Sequence, residues 1–368
     1  MSTLFKDLYN KEFFALLCKA LDETVPHFKA ADFMDEIYDA DWSSRELKQR
    51  MRHISICLKN HLSNDFKEST IQLLSLISYC QKNGITDKAL EFMFIPDFIE
   101  QYGLEEYESS IHAIEQVTQF TSCEFAVRPF IIKYEKQMMN QMLKWADHPQ
   151  HDVRRLASEG CRPRLPWAMA LPSLKKNPAS IFPILEKLKS DSSEYVRRSV
   201  ANNLNDISKD NPDMVIRTAT NWQGVSKDID WVIKHACRSL LKQGNIEVMQ
   251  LFGFGAIDQI GIANFLIKTR KVKIGDHLDF TFTLHNRSDK NEKIRLEYGI
   301  YYQKMNGTLS KKVFKISERI YEQKSETEIN RKHSFRLITT RKYYQGLHKL
   351  SLIINGIELD VEEFELTK

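Results

Sequence analysis

What this chain lacks narrows it first. It carries only six cysteines (Cys18, Cys57, Cys80, Cys123, Cys161 and Cys237), scattered and with no CxxC spacing. A disulfide scaffold or a zinc ribbon needs paired spacings, so these thiols read as small buried side chains in a reducing cytoplasm. The eleven histidines show no HExxH and no paired ligand spacing, which disfavours a metalloenzyme; no metal is expected. No glycine cluster matches a Rossmann or P-loop pattern, so no nucleotide cofactor is expected either. No apolar run approaches the roughly 20 residues that cross a bilayer. The opening MSTLFKDLYN lacks the basic-then-apolar order of an export signal. The expectation is a cytoplasmic protein without membrane contact.

What is present is a globular composition, 42% hydrophobic and 28% charged over 368 residues, long enough for two domains. The net charge of +4 hides an uneven distribution. Residues 1–150 hold 16 basic against 23 acidic side chains, residues 151–243 hold 16 against 10, and residues 268–368 hold 21 against 14. The middle and end of the chain are therefore the surface on which a polyanion would be sought. Such asymmetry also occurs in proteins that bind none.

Residues 3–150 read as helices almost throughout. Phe5, Leu8, Phe13, Leu16, Leu17 and Leu21 begin one apolar stripe; Leu47, Met51, Ile54, Leu58 and Leu62 make a second; Ile71, Leu74, Ile77 and Cys80 make a third. Gly84, Pro96, Gly103 and Pro129 punctuate the run as turns or helix ends. A degenerate repeat follows. Val153-Arg154-Arg155, Val196-Arg197-Arg198 and Val232-Ile233-Lys234 begin 43 and 36 residues apart, each with an apolar residue eight positions on: Cys161, Leu204 and Leu240. That period fits HEAT-type helical repeats. Stacked as a solenoid, Arg155, Arg198 and Lys234 would share one face, either tracking phosphates or simply keeping helix ends soluble.

After Gln250 the period changes. Phe252-Gly253-Phe254-Gly255 breaks the last helix, and Leu278, Phe280, Phe282 and Leu284 alternate with polar residues. Asn306-Gly307 and Asn355-Gly356 are hairpin signals between such runs. Strands at this spacing predict an immunoglobulin-like β-sandwich, necessarily without an inter-sheet disulfide, since the region has no cysteine. The predicted architecture is multidomain, α then β: a HEAT-like α-solenoid over residues 1–252 followed by a sandwich over 257–368.

The stretch His151 to Leu171 concentrates the chemistry. Its helix buries Val153, Leu156, Ala157 and Cys161 on one face and cannot pass Pro163. Arg155 and Glu159 stand one turn apart, off that face. Arg162 and Arg164 flank Pro163, and Pro166 leads into Trp167. A carboxylate, several guanidiniums and an indole are expected close together, mostly outside the core. Trp145, Trp222 and Trp231 fall within helical apolar patterns and read as core.

Three segments in order carry a family resemblance: Ser122-Cys123-Glu124-Phe125-Ala126-Val127-Arg128-Pro129-Phe130, the His151–Leu171 stretch, and Thr339-Thr340-Arg341-Lys342-Tyr343-Tyr344-Gln345-Gly346-Leu347-His348. Together they resemble the bacterial AlkC family of DNA alkylation repair proteins, which joins HEAT-like repeats to an immunoglobulin-like domain. The resemblance spans nearly the whole chain. It implies a DNA glycosylase acting in base excision repair on N3-alkylated bases, 3-methyladenine and 3-methylcytosine, in double-stranded DNA, without drawing the base into a pocket. A base alkylated on a ring nitrogen is already cationic and leaves without protonation, so the catalyst needs a carboxylate for the developing sugar cation and for water.

On that reading Glu159 is the first candidate carboxylate; otherwise it is a helix glutamate paired with Arg155 or Arg162. Glu124 is the second, with a structural pairing to Arg128 as its bland alternative. Asp206, two turns after Arg198, either faces the same groove or is a surface helix end. Trp167 would press on the sugar or the cationic nucleotide, or fill a gap between repeats. Arg162, Arg164, Arg155, Arg198 and Lys234 are candidate phosphate contacts. By resemblance, Arg341 and Lys342 belong to a sandwich loop that grips DNA, while Tyr343 and Tyr344 equally suit the sandwich itself. A monomer is expected, cytoplasmic and bound to the bacterial nucleoid. A protein-binding HEAT scaffold and a DNA-binding relative without catalysis stay open.

Overall fold

The computed structural model describes residues 5–85, 90–338 and 341–368. The chain divides into two compact units, Met1–Val215 with Trp222–Ala236, and Ile216–Asn221 with Cys237–Lys368. The division therefore falls at Cys237, ahead of the boundary that the change of period suggests.

The first unit is helical throughout its described residues. The helix Leu47–His61 buries Met51, Ile54 and Leu58 as its spacing requires. The next, Phe66–Lys82, is rotated from the predicted stripe: Leu73, Leu76, Ile77 and Cys80 are buried, while Ile71 is exposed. Pro96 and Pro129 do not end helices. Each sits in the first turn of one, Phe94–Tyr102 and Val127–Lys133, where a missing N–H costs nothing.

The repeat is present as three helices, His151–Glu159, Glu194–Ile207 and Lys227–Ala236, the middle one packed against both others. Val153, Val196 and Val232 are all fully buried. The first arginine of each Val-Arg-Arg turns out to be structural. Arg154 Nη1 donates to the carbonyls of His148 (3.0 Å) and Pro149 (2.7 Å). Arg197 Nη1 makes the same bonds one repeat later, to Asp191 (2.6 Å) and Ser192 (3.0 Å). Each ties its helix to the loop that precedes it.

The second unit holds the sandwich: β1 (Ile260–Ile267), β2 (Lys271–Lys273), β3 (His277–Asn286), β4 (Glu292–Gln303), β5 (Leu309–Tyr321), β6 (Ser325–Ser334), β7 (Gly346–Ile354) and β8 (Ile357–Thr367). One sheet runs β1-β3-β6 and the other β2-β8-β7-β4-β5, antiparallel except for β2 beside β8. Between them lie Leu278, Phe280, Phe282 and Leu284 of β3 and Ile294, Leu296 and Ile300 of β4, the alternation that period two demands. Both predicted hairpins form. Asn355 and Gly356 turn β7 into β8 with φ of 46° and 80°, the primed geometry that suits a twisted pair. Glycine is obligatory at 356 for a second reason. A Cβ there would stand 2.3 Å from the Gly244 Cα, where the short helices Arg238–Gln243 and Ile246–Leu251 meet the sandwich.

Candidate active site

The helix His151–Glu159 buries Val153, Leu156 and Ala157 and stops at Glu159, with Gly160 N–H bonded to the Leu156 carbonyl at 2.8 Å. Gly160 lets this end press against the helix Val127–Lys133, since a Cβ there would meet Val127 Cγ2 at 2.6 Å. That close approach carries Glu159 inward. It is 5% exposed, not on the outer face that its spacing from Arg155 suggests.

Around Glu159 runs a chain of alternating charges. Arg162 Nη1 donates to Glu159 Oε1 at 2.6 Å, Arg155 Nη2 approaches the same oxygen at 3.4 Å, and Ser199 Oγ donates to Oε2 at 2.6 Å. Arg162 Nε reaches Asp206 Oδ2 at 2.8 Å, and Lys209 holds the other Asp206 oxygen at 3.1 Å. At the far end Arg155 Nη1 pairs with Glu124 Oε2 and donates to Ser122 Oγ at 2.8 Å. Ser122 in turn donates to Glu124 Oε2 at 2.9 Å. Burial pulls the Arg155 and Arg162 guanidiniums down, but their carboxylate partners outweigh it and hold both above the ordinary value. Both guanidiniums therefore stay charged.

The network opens at its Glu124 end into a cleft of about 240 Å³, lined by Met93, Phe120, Thr121, Glu124, Asp152, Arg155 and Tyr195. The Tyr195 ring lies 4.8 Å from the Arg155 guanidinium. Glu124 is half-buried, and its Oε1 takes no hydrogen bond among the described residues. Glu159 instead has both oxygens engaged. Of the two candidate carboxylates, Glu124 faces open space and Glu159 lies behind it.

Trp167 is 72% exposed with φ of +64°, so it fills no gap between repeats. Its loop is fastened by Arg128, wholly buried, which donates to the carbonyls of Gly160 (3.0 Å), Arg162 (2.9 Å) and Met169 (2.6 Å). Arg128 therefore does not pair with Glu124 as their one-turn spacing suggests. Burial pulls its pKa down to about 10, still charged at neutral pH.

Several expectations change with this geometry. Arg162 is buried, with its Nη1 on Glu159 and its Nε on Asp206, not at the surface. Asp206 is buried too, not a surface helix end. Arg164 is exposed but forks onto Asp210 at 2.6 and 2.7 Å. Arg198 is exposed beside Glu194, and Lys234 is half-buried on its helix; the three repeat cations therefore differ in environment. Trp145 and Trp222 are core, but Trp231 is 40% exposed and stacks on His235. In the sandwich, Arg341 lies 4.2 Å from the Tyr302 ring centroid and Lys342 lies 5.5 Å from that of Tyr344. Thr339 and Thr340, which open the third family segment, fall outside the described residues. No helix among the described residues is long and apolar enough to cross a membrane.

The sequence reading paired Arg128 with Glu124 and did not single out Ser122, Ser199 or Tyr195. Arg128 and Ser122 stand in the segment read for Glu124 alone, and Tyr195 directly precedes the second Val-Arg-Arg. Apart from the Ser122 bond to Glu124, their partners lie 30 or more positions away, where no local spacing points.

A family model described as DNA alkylation repair enzyme matches residues 96–240, and one described as the C-terminal Ig-like domain of uncharacterised protein YhaZ matches residues 261–368. Uncharacterized protein YhaZ of Bacillus subtilis (strain 168) is 41% identical over 361 residues, covering 98% of this chain and 99% of that protein. Among solved structures, Pseudomonas fluorescens alkylpurine DNA glycosylase AlkC, bound to DNA containing an abasic site analog, is 32% identical. It covers 100% of both chains with a TM-score of 0.93.

Proposed function

The chain belongs to the AlkC family of DNA alkylation repair proteins, and from that membership we propose that it is a DNA glycosylase that removes alkylated bases from duplex DNA. Its substrates on this reading are the N3-methylated bases 3-methyladenine and 3-methylcytosine. The observation that carries the reading is the Glu124 carboxylate, fixed on one side by Arg155 and Ser122 and open on the other to the cleft.

The chemistry asked of the site is limited. Methylation at a ring nitrogen leaves the base positively charged, so the C1′–N bond breaks with its electron pair returning to the ring, and no general acid is needed. Positive charge then develops on the deoxyribose. A carboxylate held in place stabilises that charge without reorganising, typically the largest single contribution an enzyme makes. Water adds to C1′ and gives up a proton, which the same carboxylate can accept. On this reading Glu124 serves both tasks. Arg155 keeps it aimed, and Glu159, Arg162 and Asp206 brace Arg155 from behind.

Trp167, exposed on a braced loop, offers an aromatic face to the sugar or the cationic nucleotide, about 1–2 kcal/mol where water is excluded. Arg164 and Arg198 lie at the surface with partners that a phosphate can displace. Arg341 and Lys342 supply the corresponding charges on the sandwich.

Base release from methylated duplex DNA, resolved by chromatography, tests the reading. Release of N3-methylated bases by the wild type, lost in Glu124→Gln with DNA affinity retained, is the expected result. Absence of release from protein that still binds DNA would leave a binding relative without catalysis, and absence of both would favour a protein scaffold.

A further inference from the structure

Lys48 joins the active-site loop to the Glu124 segment from a helix that neither segment belongs to. It stands in the first turn of Leu47–His61, with an exposed side chain. Its Nζ donates to the Trp167 carbonyl at 2.7 Å and lies 4.7 Å from the centroid of the Phe125 ring. Phe125 immediately follows Glu124. Trp167 occupies the left-handed region, which is uncommon for a side chain of its size. Arg128 fastens the loop at Gly160, Arg162 and Met169 but does not touch Trp167 itself. Among the described residues the Trp167 carbonyl has no other hydrogen-bond donor.

We propose that Lys48 is a positioning residue of this active site: its ammonium holds the Trp167 peptide in the left-handed conformation that presents the indole, and its seat over Phe125 keeps that loop in register with Glu124. The proposal rests on the glycosylase reading for its catalytic consequence. Strain at a functional residue persists only where neighbours over-determine it; here the Ala168 N–H closes a turn on the Leu165 carbonyl at 3.3 Å, and Lys48 holds the carbonyl side of the same peptide from another helix. Its distance from the rest of the site in sequence is the reason no motif marks it.

Two variants and two readouts test this. Lys48→Met keeps the stem and removes the charge and the donors; Lys48→Arg keeps both. In single-turnover base release, Lys48→Met is expected to be slower by about tenfold to a hundredfold, the usual cost of a misplaced contact, with DNA affinity and its salt dependence unchanged. Lys48→Arg restores most of the rate. Trp167 emission, taken as the difference from Trp167→Phe, shifts and becomes more open to a soluble quencher in Lys48→Met and returns in Lys48→Arg. Unchanged rate and emission in Lys48→Met would overturn the proposal. So would an affinity loss with a salt slope smaller by about one, which marks a phosphate contact. If the wild type releases no base, the glycosylase reading fails, and the emission comparison still decides whether Lys48 holds Trp167.

Discussion

Glu124→Gln and Glu159→Gln make the same chemical change, one methylene-spaced carboxylate to its amide, at the two ends of one network, and the structure separates their effects. Glu159 is buried, neutralises two guanidiniums and accepts from Ser199. Removing its charge leaves three cations, Arg155, Arg162 and Lys209, sharing two carboxylates, Glu124 and Asp206. Breaking a buried pair in this way typically costs about 3 kcal/mol or more. In a helical unit of this size that lowers the melting temperature by about 6–12 °C, at about 2–4 °C per kcal/mol. Glu124 is half-buried, with one oxygen already open, so its amide should cost less than that of Glu159. The rate should move the other way. Glu124→Gln removes the charge facing the sugar, a loss of about 10² to 10³ in the single-turnover rate if it acts as an electrostatic stabiliser. Glu159→Gln loses activity only as Arg155 and the loop loosen. Thermal unfolding followed by circular dichroism, with single-turnover release well below both midpoints, reads the two effects apart. A Glu159→Gln protein as stable as wild type would refute the buried-network account. Wild-type rates from Glu124→Gln would remove it from the chemistry and return the role to Glu159 or Asp206.

Other outcomes follow from single contacts. His333 of the sandwich is buried between the Tyr298 and Tyr302 hydroxyls at 2.9 and 2.8 Å, and burial, with Arg341 adding to it, pulls its pKa from 6.5 to about 4. Between those values the unfolded chain takes up a proton that the folded one refuses. Stability present above pH 6.5 is therefore lost as the pH falls towards 4, by about 3 kcal/mol in all; denaturant titrations across that range should show the slope, and His333→Gln should flatten it. Arg128→Met should lower stability by about 3 kcal/mol by orphaning the buried carbonyls of Gly160 and Arg162 and the half-buried one of Met169, with Trp167 emission altered as well; an unchanged melting temperature would contradict the bonds described. Gly356→Ala should destabilise the second unit by more than about 1 kcal/mol, since it adds a clash with Gly244 to a left-handed strain, whereas Gly307→Ala, strained but open on all sides, should cost less. Arg198→Ala should weaken DNA binding evenly across sequences and reduce the salt slope by about one; a slope equal to wild type would exclude Arg198 from the phosphate path.

Much of the architecture was readable from local pattern alone. Period two over Leu278–Leu284 and the Asn-Gly turns specified strands and hairpins, because side-chain alternation and positive φ are properties of neighbouring residues. The Val-Arg-Arg repeat specified successive helices for the same reason, and three segments in order specified the family. The burial of Glu159, Arg162 and Asp206 was not readable. It depends on Gly160 letting one helix end meet Val127, and on Ser199 and Asp206 arriving from a helix some 40 residues on. Spacing places Arg128 beside Glu124, yet the folded chain sends its guanidinium to three carbonyls beyond residue 159. Which carboxylate faces the cleft was likewise a tertiary matter, settled by who pairs with whom across helices. Sequence determines the elements and the kinds of group they carry, because those are short-range; only packing decides which charge is buried, which is paired and which is left open to act.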